Sequence, residues 1–579
     1  MTFVAPLLQC ARSRLRVPGT KKGMSRVVPL AVSSSIGSKL RPIPDVEPMA
    51  MYEASQSMRT RVIGAWLLLA IVCAQGCGAG GANRGPEAGS KLKEASEAHV
   101  RAFCSACHAY TPPNLLPKSM WPSEIEQMYR LYQESGIKVP APDIETVAEY
   151  FRRRAPEELL VPQVPVAAAG GVQFEQHLIG ANDLPIAPAI SSVQYGDPCG
   201  KGQPGLIVCE MLRGQIYFVL WDREHANFRL LSTEVSHPAR VEICDLDRDG
   251  LPDMVVANLG AFRPTNDRVG SVVWLRNLGN GTFEGRVLAG DMGRVADVRA
   301  ADFDGDGDLD LIVAAFGWQT VGDIIYLENR TTDYRQPHFV PRVLDPRHGA
   351  IHVPVADVNG DGKLDFVALI SQEHETIVAY LGDGQGHFTP QTIFTAAHPA
   401  YGSSGIELVD LDGDGDLDVL YTNGDPLDKT LLRPYHGLAW LENRAEFPFL
   451  HHRLGDVCGA HRALAADFDG DGRLDICLAC LLPEPGYTVL RERHKLPAML
   501  VWEQQTPLRF VPHVLESRYC DYCSAVVCDL DRDGRPDIVA GRFSFLSSAD
   551  SPLPRSKMVP SAGESWLSVW LNRTPKKAK

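Results

Sequence analysis

The residues best suited to chemistry lie in AFCSACHAY, 102–110, where Cys104 and Cys107 stand three apart and His108 follows directly. Two thiols at this spacing can form thioethers with both vinyl groups of one haem, and the adjacent imidazole then lies under the iron. A zinc site would want a second Cys or His pair, and none lies within residues 90–155. A redox dithiol would want a βαβ context, which is absent here. One covalent haem c is the expected cofactor, with zinc, dithiol and chance occurrence as the rival explanations.

A second chemistry recurs along the rest of the chain. DLDRDGLPD places Asp245, Asp247, Asp249, Leu251 and Asp253 at positions 1, 3, 5, 7 and 9 of a loop. DFDGDGDLD does so with Asp302, Asp304, Asp306, Asp308 and Asp310, and DVNGDGKLD with Asp357, Asn359, Asp361, Lys363 and Asp365. DLDGDGDLD supplies Asp410, Asp412, Asp414, Asp416 and Asp418; DFDGDGRLD supplies Asp467, Asp469, Asp471, Arg473 and Asp475. DLDRDGRPD supplies Asp529, Asp531, Asp533, Arg535 and Asp537. Alternate carboxylates offer oxygens to a hard cation from one side, Gly at position 6 permits the turn, and the position 7 carbonyl adds a ligand. An EF-hand would need Glu at position 12 and flanking helices. Here the closing acid is at position 9 and strand-like runs follow, so the expectation is up to six Ca²⁺ in strand–loop–strand settings.

The elements around the first motif are helical. SKLKEASEAHVRAF reads as a helix opened by Ser90 that runs into Cys104. PSEIEQMYRLYQESG carries a stripe of Ile125, Met128, Tyr129 and Tyr132, starts with Pro122 and stops at Gly136. DIETVAEYFRRR places Ile144, Val147, Ala148 and Phe151 on one face. So few apolar residues need a large group to fill their centre. Over residues 90–155 the chain resembles the small bacterial cytochromes c, an all-α fold. The resemblance implies that Trp121, Ile125 and Met128 are the family's downstream pattern, with Met128 as sixth haem ligand and Met120 as its competitor.

The acidic loops begin 53 to 62 residues apart, a period of stacked supersecondary units. Two further elements repeat in phase, SVVWLRN, DIIYLEN and LAWLENR among the first, TFEGRVL and HFVPRVL among the second. Each unit therefore holds about four strands. A seventh unit begins at YGDPCGKGQPG, where Asp197 keeps position 1 but Cys199, Lys201 and Gly205 replace later acids. The last unit lacks its final strand, and an orphan copy, VQFEQHL at 172–178, precedes the first. An N-terminal strand completing the C-terminal blade closes a ring and hides its edges. The expected fold is an all-β, seven-bladed propeller over 171–575.

This region resembles the FG-GAP/VCBS repeat family, whose propellers also occur in integrin α-subunits. The resemblance implies calcium loops on one face and, on the other, a funnel where SHPAR, GRVAD, HGAIH, AHPAYGSSG, GAHR and CDYC meet. That would gather His237, Arg240, Arg294, His348, His352, His398, His461 and Arg462 to bind an anion or metal or to dock a redox partner. A polar, solvated rim is the plainer alternative. Cys520 and Cys523 lack a following His and suit a disulfide or rim metal site.

Residues 1–57 read as an overlong start or a disordered extension, and 58–77 as a signal peptide with Arg59 and Arg61 before the apolar run Val62–Val72. AQGC loosely fits a lipobox with Cys77 as the lipidated residue, giving membrane attachment at the periplasm or cell surface. Linkers fall at 78–89 and 156–170. The net charge of −14 suggests an acidic surface that avoids nucleic acid, so no nucleic-acid partner is expected. Its origin is local: the six loops hold 25 of the 71 acidic residues, and six Ca²⁺ would nearly cancel it. Three functions fit: an exported electron-transfer protein whose propeller binds a partner or ligand, a propeller oxidoreductase that passes substrate electrons to the haem, and a surface adhesion or carbohydrate-binding propeller. No residue identifies a catalytic base, so whether the chain is an enzyme stays open.

Overall fold

Each repeat contains a run such as DMVVAN, DFVALI or DVLYTN whose apolar side chains occupy consecutive positions, so a strand there must bury both faces. In the computed structural model these runs are the second strands of antiparallel blades, four-stranded except where the first strand beside Asp365–Ile370 is split into Ala350–His352 and Val355–Ala356, and Asp253–Asn258, Asp365–Ile370 and Asp418–Asn423 are buried throughout. The structure describes residues 93–165, 171–180, 188–427, 429–484, 486–544 and 565–575. The proposed extension, signal peptide, Cys77 and first linker lie outside them. All described residues belong to one compact unit, Lys91–Lys579.

Seven blades follow in chain order: 190–232, 238–292, 295–345, 350–395, 405–456, 460–516 and 522–572. The seventh takes its outer strand from Phe174–Ile179, antiparallel to Leu567–Asn572 with Phe174 opposite Asn572 and Ile179 opposite Leu567. The ring closes as the orphan strand implied, and the innermost strands of neighbouring blades touch all the way round. Apolar layers fill the gaps between blades. Trp274, Val298, Leu311 and Leu327 join blades two and three; Phe303, Tyr326, Phe366 and Tyr380 join three and four. Each such side chain contributes about 1.5–3 kcal/mol by leaving water.

Before the ring, α1 spans Glu97–Cys104, α2 Trp121–Ser135 and α3 Ile144–Arg154. The start of α1 differs from the sequence expectation: Ser96, not Ser90, caps it, its hydroxyl accepting the His99 N–H at 3.4 Å. Asp143 caps α3 at the Thr146 N–H, 3.1 Å, and Gly136 ends α2 with φ 71°. Trp121 stacks on Phe151 at 4.1 Å, and Phe103 sits 5.0 Å from both Tyr129 and Tyr132. Leu431 of blade five packs against this small core, and Lys429 pairs with Glu124 of α2. The 156–170 linker is partly docked, since Val161 and Val164 lie against the propeller core. Among the described residues no helix is long and apolar enough to cross a membrane.

Candidate functional site

Cys104 ends α1 and is buried, Cys107 is exposed in the turn that follows, and both thiols are free. Burial, then the neighbouring Cys107, pushes the Cys104 thiol up to about 11. Burial, then the charge of Glu373 in blade four, also raises Cys107. His108 Nδ1 lies 2.8 Å from the Ala109 carbonyl. A carbonyl only accepts, so Nδ1 carries the proton and Nε2 keeps its lone pair. Met128 and Met120 both sit half-buried against the same core, and nothing in their packing ranks one above the other.

Five of the six acidic loops share one construction, and in the sixth Asp302 accepts the Gly305 and Gly307 N–H groups at 2.8 and 3.1 Å instead. The position 1 carboxylate accepts the N–H groups of positions 5 and 6: Asp249 and Gly250 on Asp245 at 3.1 and 3.0 Å, Asp361 and Gly362 on Asp357 at 3.1 and 2.8 Å. Asp410, Asp467 and Asp529 do the same. Position 6 has positive φ in every loop, from Gly534 at 80° to Gly415 at 101°, which is why glycine recurs there. Position 9 opens the second strand of each blade and is buried. Burial, with nearby loop carboxylates adding to it, raises Asp253, Asp310, Asp418 and Asp537 to about 6 and Asp475 to about 7. Oxygens of positions 1, 3 and 9 come within 4.8 Å of one another in the loops starting at Asp245, Asp410 and Asp467. In the Asp302 loop it is positions 1, 3 and 5 that do so. Arginines already answer part of this charge: Arg276 pairs with Asp247 and Asp249, Arg573 with Asp531 and Asp533, Arg473 with Asp471. In the acid-poor loop of blade one, Asp197 still accepts the Cys199 and Gln203 N–H groups at 3.1 and 3.2 Å.

Sequence reasoning missed the amide at the end of the third strand. Asn277, Asn329, Asn443, Gln504 and Asn572 each donate a backbone N–H to the position 9 carboxylate at 2.7–2.8 Å. Three side chains also reach the preceding blade's loop: Asn277 to Pro198 O at 3.2 Å, Asn443 to Val358 O at 3.1 Å, Asn572 to Phe468 O at 2.8 Å. The recurring Asn after WLR, YLE, WLE and WL was the available signal.

The expected His/Arg set divides. Arg240, His352, His461 and Arg462 come together on the inner strands, joined by Asp297, Arg299, Glu242 and Glu407, which the sequence reading did not single out. Asp297 Oδ1 lies 3.2 Å from Arg240 Nε and 3.3 Å from Arg299 Nε, and its other oxygen 3.8 Å from His352 Nδ1. Burial would raise the Asp297 carboxyl, but the two guanidiniums hold it well below the usual carboxylate range. Burial takes His352 down to about 4 and Glu407 up to about 7. A cavity of about 270 Å³ opens between Arg299, His352, Glu407 and Arg462. Arg240 and Arg299 share Asp297, Arg299 also pairs with Glu242 at 3.4 Å, and Arg462 donates to the Ile406 carbonyl at 2.6 Å. Asp297→Asn is expected to cost about 3–5 kcal/mol, because the fully buried carboxylate is removed, leaving Arg240 without its partner and Arg299 with Glu242 alone. An unchanged urea midpoint would contradict that.

The remaining members lie elsewhere. The His237 N–H binds Asn258 at 3.0 Å, Arg294 holds the Ala261 and Phe262 carbonyls at 3.0 and 3.2 Å, and His398 sits among Tyr401 and Tyr435. His348 turns to Glu373. Cys520 and Cys523 form no disulfide; Cys520 is buried and donates to Pro497 O at 3.5 Å.

Residues 237–313 and 343–421 match the model of the FG-GAP-like repeat, in blades two to five. No curated protein matches the chain. Among solved structures, rhamnogalacturonan lyase YesW is similar at 14% identity and a TM-score of 0.38, over 73% of this chain and 76% of that one. BBS1N in its complex with ARL6DN is similar at 12% identity and a TM-score of 0.39, over 70% of this chain and 98% of that one. Neither likeness bears on activity.

Proposed function

We propose that this seven-bladed propeller of FG-GAP-like repeats is the calcium-stabilised scaffold of an exported, lipid-anchored monohaem c-type cytochrome, which transfers electrons and binds a partner or ligand on the propeller. The observation that carries the reading is the donor set at the end of α1: thiols of Cys104 and Cys107, and a His108 imidazole whose Nδ1–H is spent on Ala109 O so that Nε2 is free for iron. Haem c bound there supplies a one-electron couple. The chain's own residues fix the imidazole through Ala109 O and pack Cys104 against the Phe103–Trp121–Phe151 core, so these are the groups that would hold the haem. Met128 is the proposed sixth ligand. For calcium the support is the shared loop geometry, with oxygens gathered around the position 1 carboxylate.

Spectra of the matured chain, oxidised and reduced, test this reading. Met128→Ala is expected to lower the potential and open the iron to carbon monoxide, while Met120→Ala leaves both unchanged. If both variants match the parent, methionine is not the sixth ligand; if reduction alters no absorption band, the electron-transfer reading fails.

A further inference from the structure

The Asp loops join the first and second strands of each blade, so turns between second and third strands, and the links from one blade to the next, fall at the opposite end of the ring. Three ligand-type side chains meet at that end. His348 lies in the link between Phe339–Asp345 of blade three and Ala350–His352 of blade four. Glu373 and His374 occupy the turn between Asp365–Ile370 and Thr376–Gly382 of blade four.

The cluster is held from several sides. His348 is 9% exposed, and its Nε2 is 2.9 Å from Glu373 Oε2. The two rings are 5.0 Å apart between centroids, and one donor atom from each of the three residues lies within 4.8 Å of the others. His374 Nε2 is buried with no hydrogen-bond partner. Burying a polar nitrogen without a partner costs on the order of 1–3 kcal/mol, so the arrangement is short of one group that would accept its lone pair or take its proton.

The backbone is committed to this shape. Gln372 and Glu375, on either side of the pair, take φ of 59° and 41°, which non-glycine residues adopt only under constraint. The constraint is visible: the Glu375 carboxylate accepts the Gly402 and Ser403 N–H groups at 2.8 and 2.9 Å. Ser371 donates its N–H to Gly349 O at 2.8 Å, which fixes the turn next to His348. Gly349 itself has φ 91°, and a Cβ there would stand 2.8 Å from Ser371 O.

Two imidazoles and one carboxylate converging from one side, with coordination positions left over, is a donor set for a first-row transition metal and not for calcium, which prefers oxygen alone. We infer that His348, Glu373 and His374 hold one divalent transition-metal ion of the zinc or iron(II) class. Three protein ligands leave at least one position for water or a small oxygen-donor ligand. Glu373 is also the carboxylate whose charge raises the Cys107 thiol. The site needs only the propeller and does not depend on haem.

The test is a calorimetric Zn²⁺ titration of the full chain in excess Ca²⁺, which fills the Asp loops first. One equivalent is expected, weakened about 100-fold or more in His374→Ala and in Glu373→Gln, beyond the cost of losing an outer-shell partner. His387→Ala, at an exposed histidine of the same blade, is expected to bind like the parent. Thermal melts without zinc show that each variant is folded. The inference is overturned if the parent takes up no zinc, if both ligand variants bind as the parent does, or if uptake survives in them and is lost in Cys107→Ala.

Discussion

Removing divalent cations with a chelator is expected to lower the melting temperature of the chain steeply, and added Ca²⁺ to restore it. The loops bring carboxylate oxygens within 4.8 Å of one another in at least four places, at the mouth of buried second strands. Without a cation these charges repel where the blades are joined, since the same position 9 carboxylates anchor Asn277, Asn443 and Asn572. Each loop filled at 100 times its dissociation constant adds about 2.7 kcal/mol, and several filled together rival the whole stability of an ordinary domain. Mg²⁺ should restore less, because it demands a tighter octahedral shell. A melting curve indifferent to chelation would mean that Arg276, Arg473 and Arg573 suffice to neutralise the loops.

Starting the chain at residue 181 is expected to abolish the closed ring. It strips Leu567–Asn572 of its partner strand, together with the 2.7 Å bond from Arg573 N to Gln173 O and the Arg573–Glu175 pair. Each orphaned backbone bond costs about 0.5–1.5 kcal/mol, and Ile179 is lost from the layer shared with Val193 and Trp566. The uncovered edge also offers itself to other chains. Aggregation or a non-cooperative melt is the expected outcome in size-exclusion and thermal experiments. A monomer with an unaltered midpoint would contradict the closure account.

Blade number, loop positions and closure were legible because each is written locally and repeated: an Asp-x-Asp-x-Asp-Gly frame, an apolar run, an orphan strand. The start of α1 slipped from Ser90 to Ser96 because both serines precede plausible helical sequence and only the packing of Val100 and Phe103 chooses between them. Asp297 was illegible since its partners Arg240 and His352 come from other blades, and only ring closure brings them together. The alternation Asp297-x-Arg299 and Arg240-x-Glu242 in inner strands marked residues on one face, but not their pairing. His348 was grouped with the funnel by segment, and its bond to Glu373 depends on a turn that nothing in the repeat pattern specifies.

The most direct test of the account is whether haem is covalently attached. The chain, expressed from Met58 with a c-type haem maturation system, would be denatured, extracted with acid acetone and examined for retained haem absorption. The account predicts one haem per chain that survives this treatment and is lost in Cys107→Ala. A chain that emerges haem-free from a competent maturation host would contradict it, leaving a propeller whose ligand must be sought among the inner strands or beside His348.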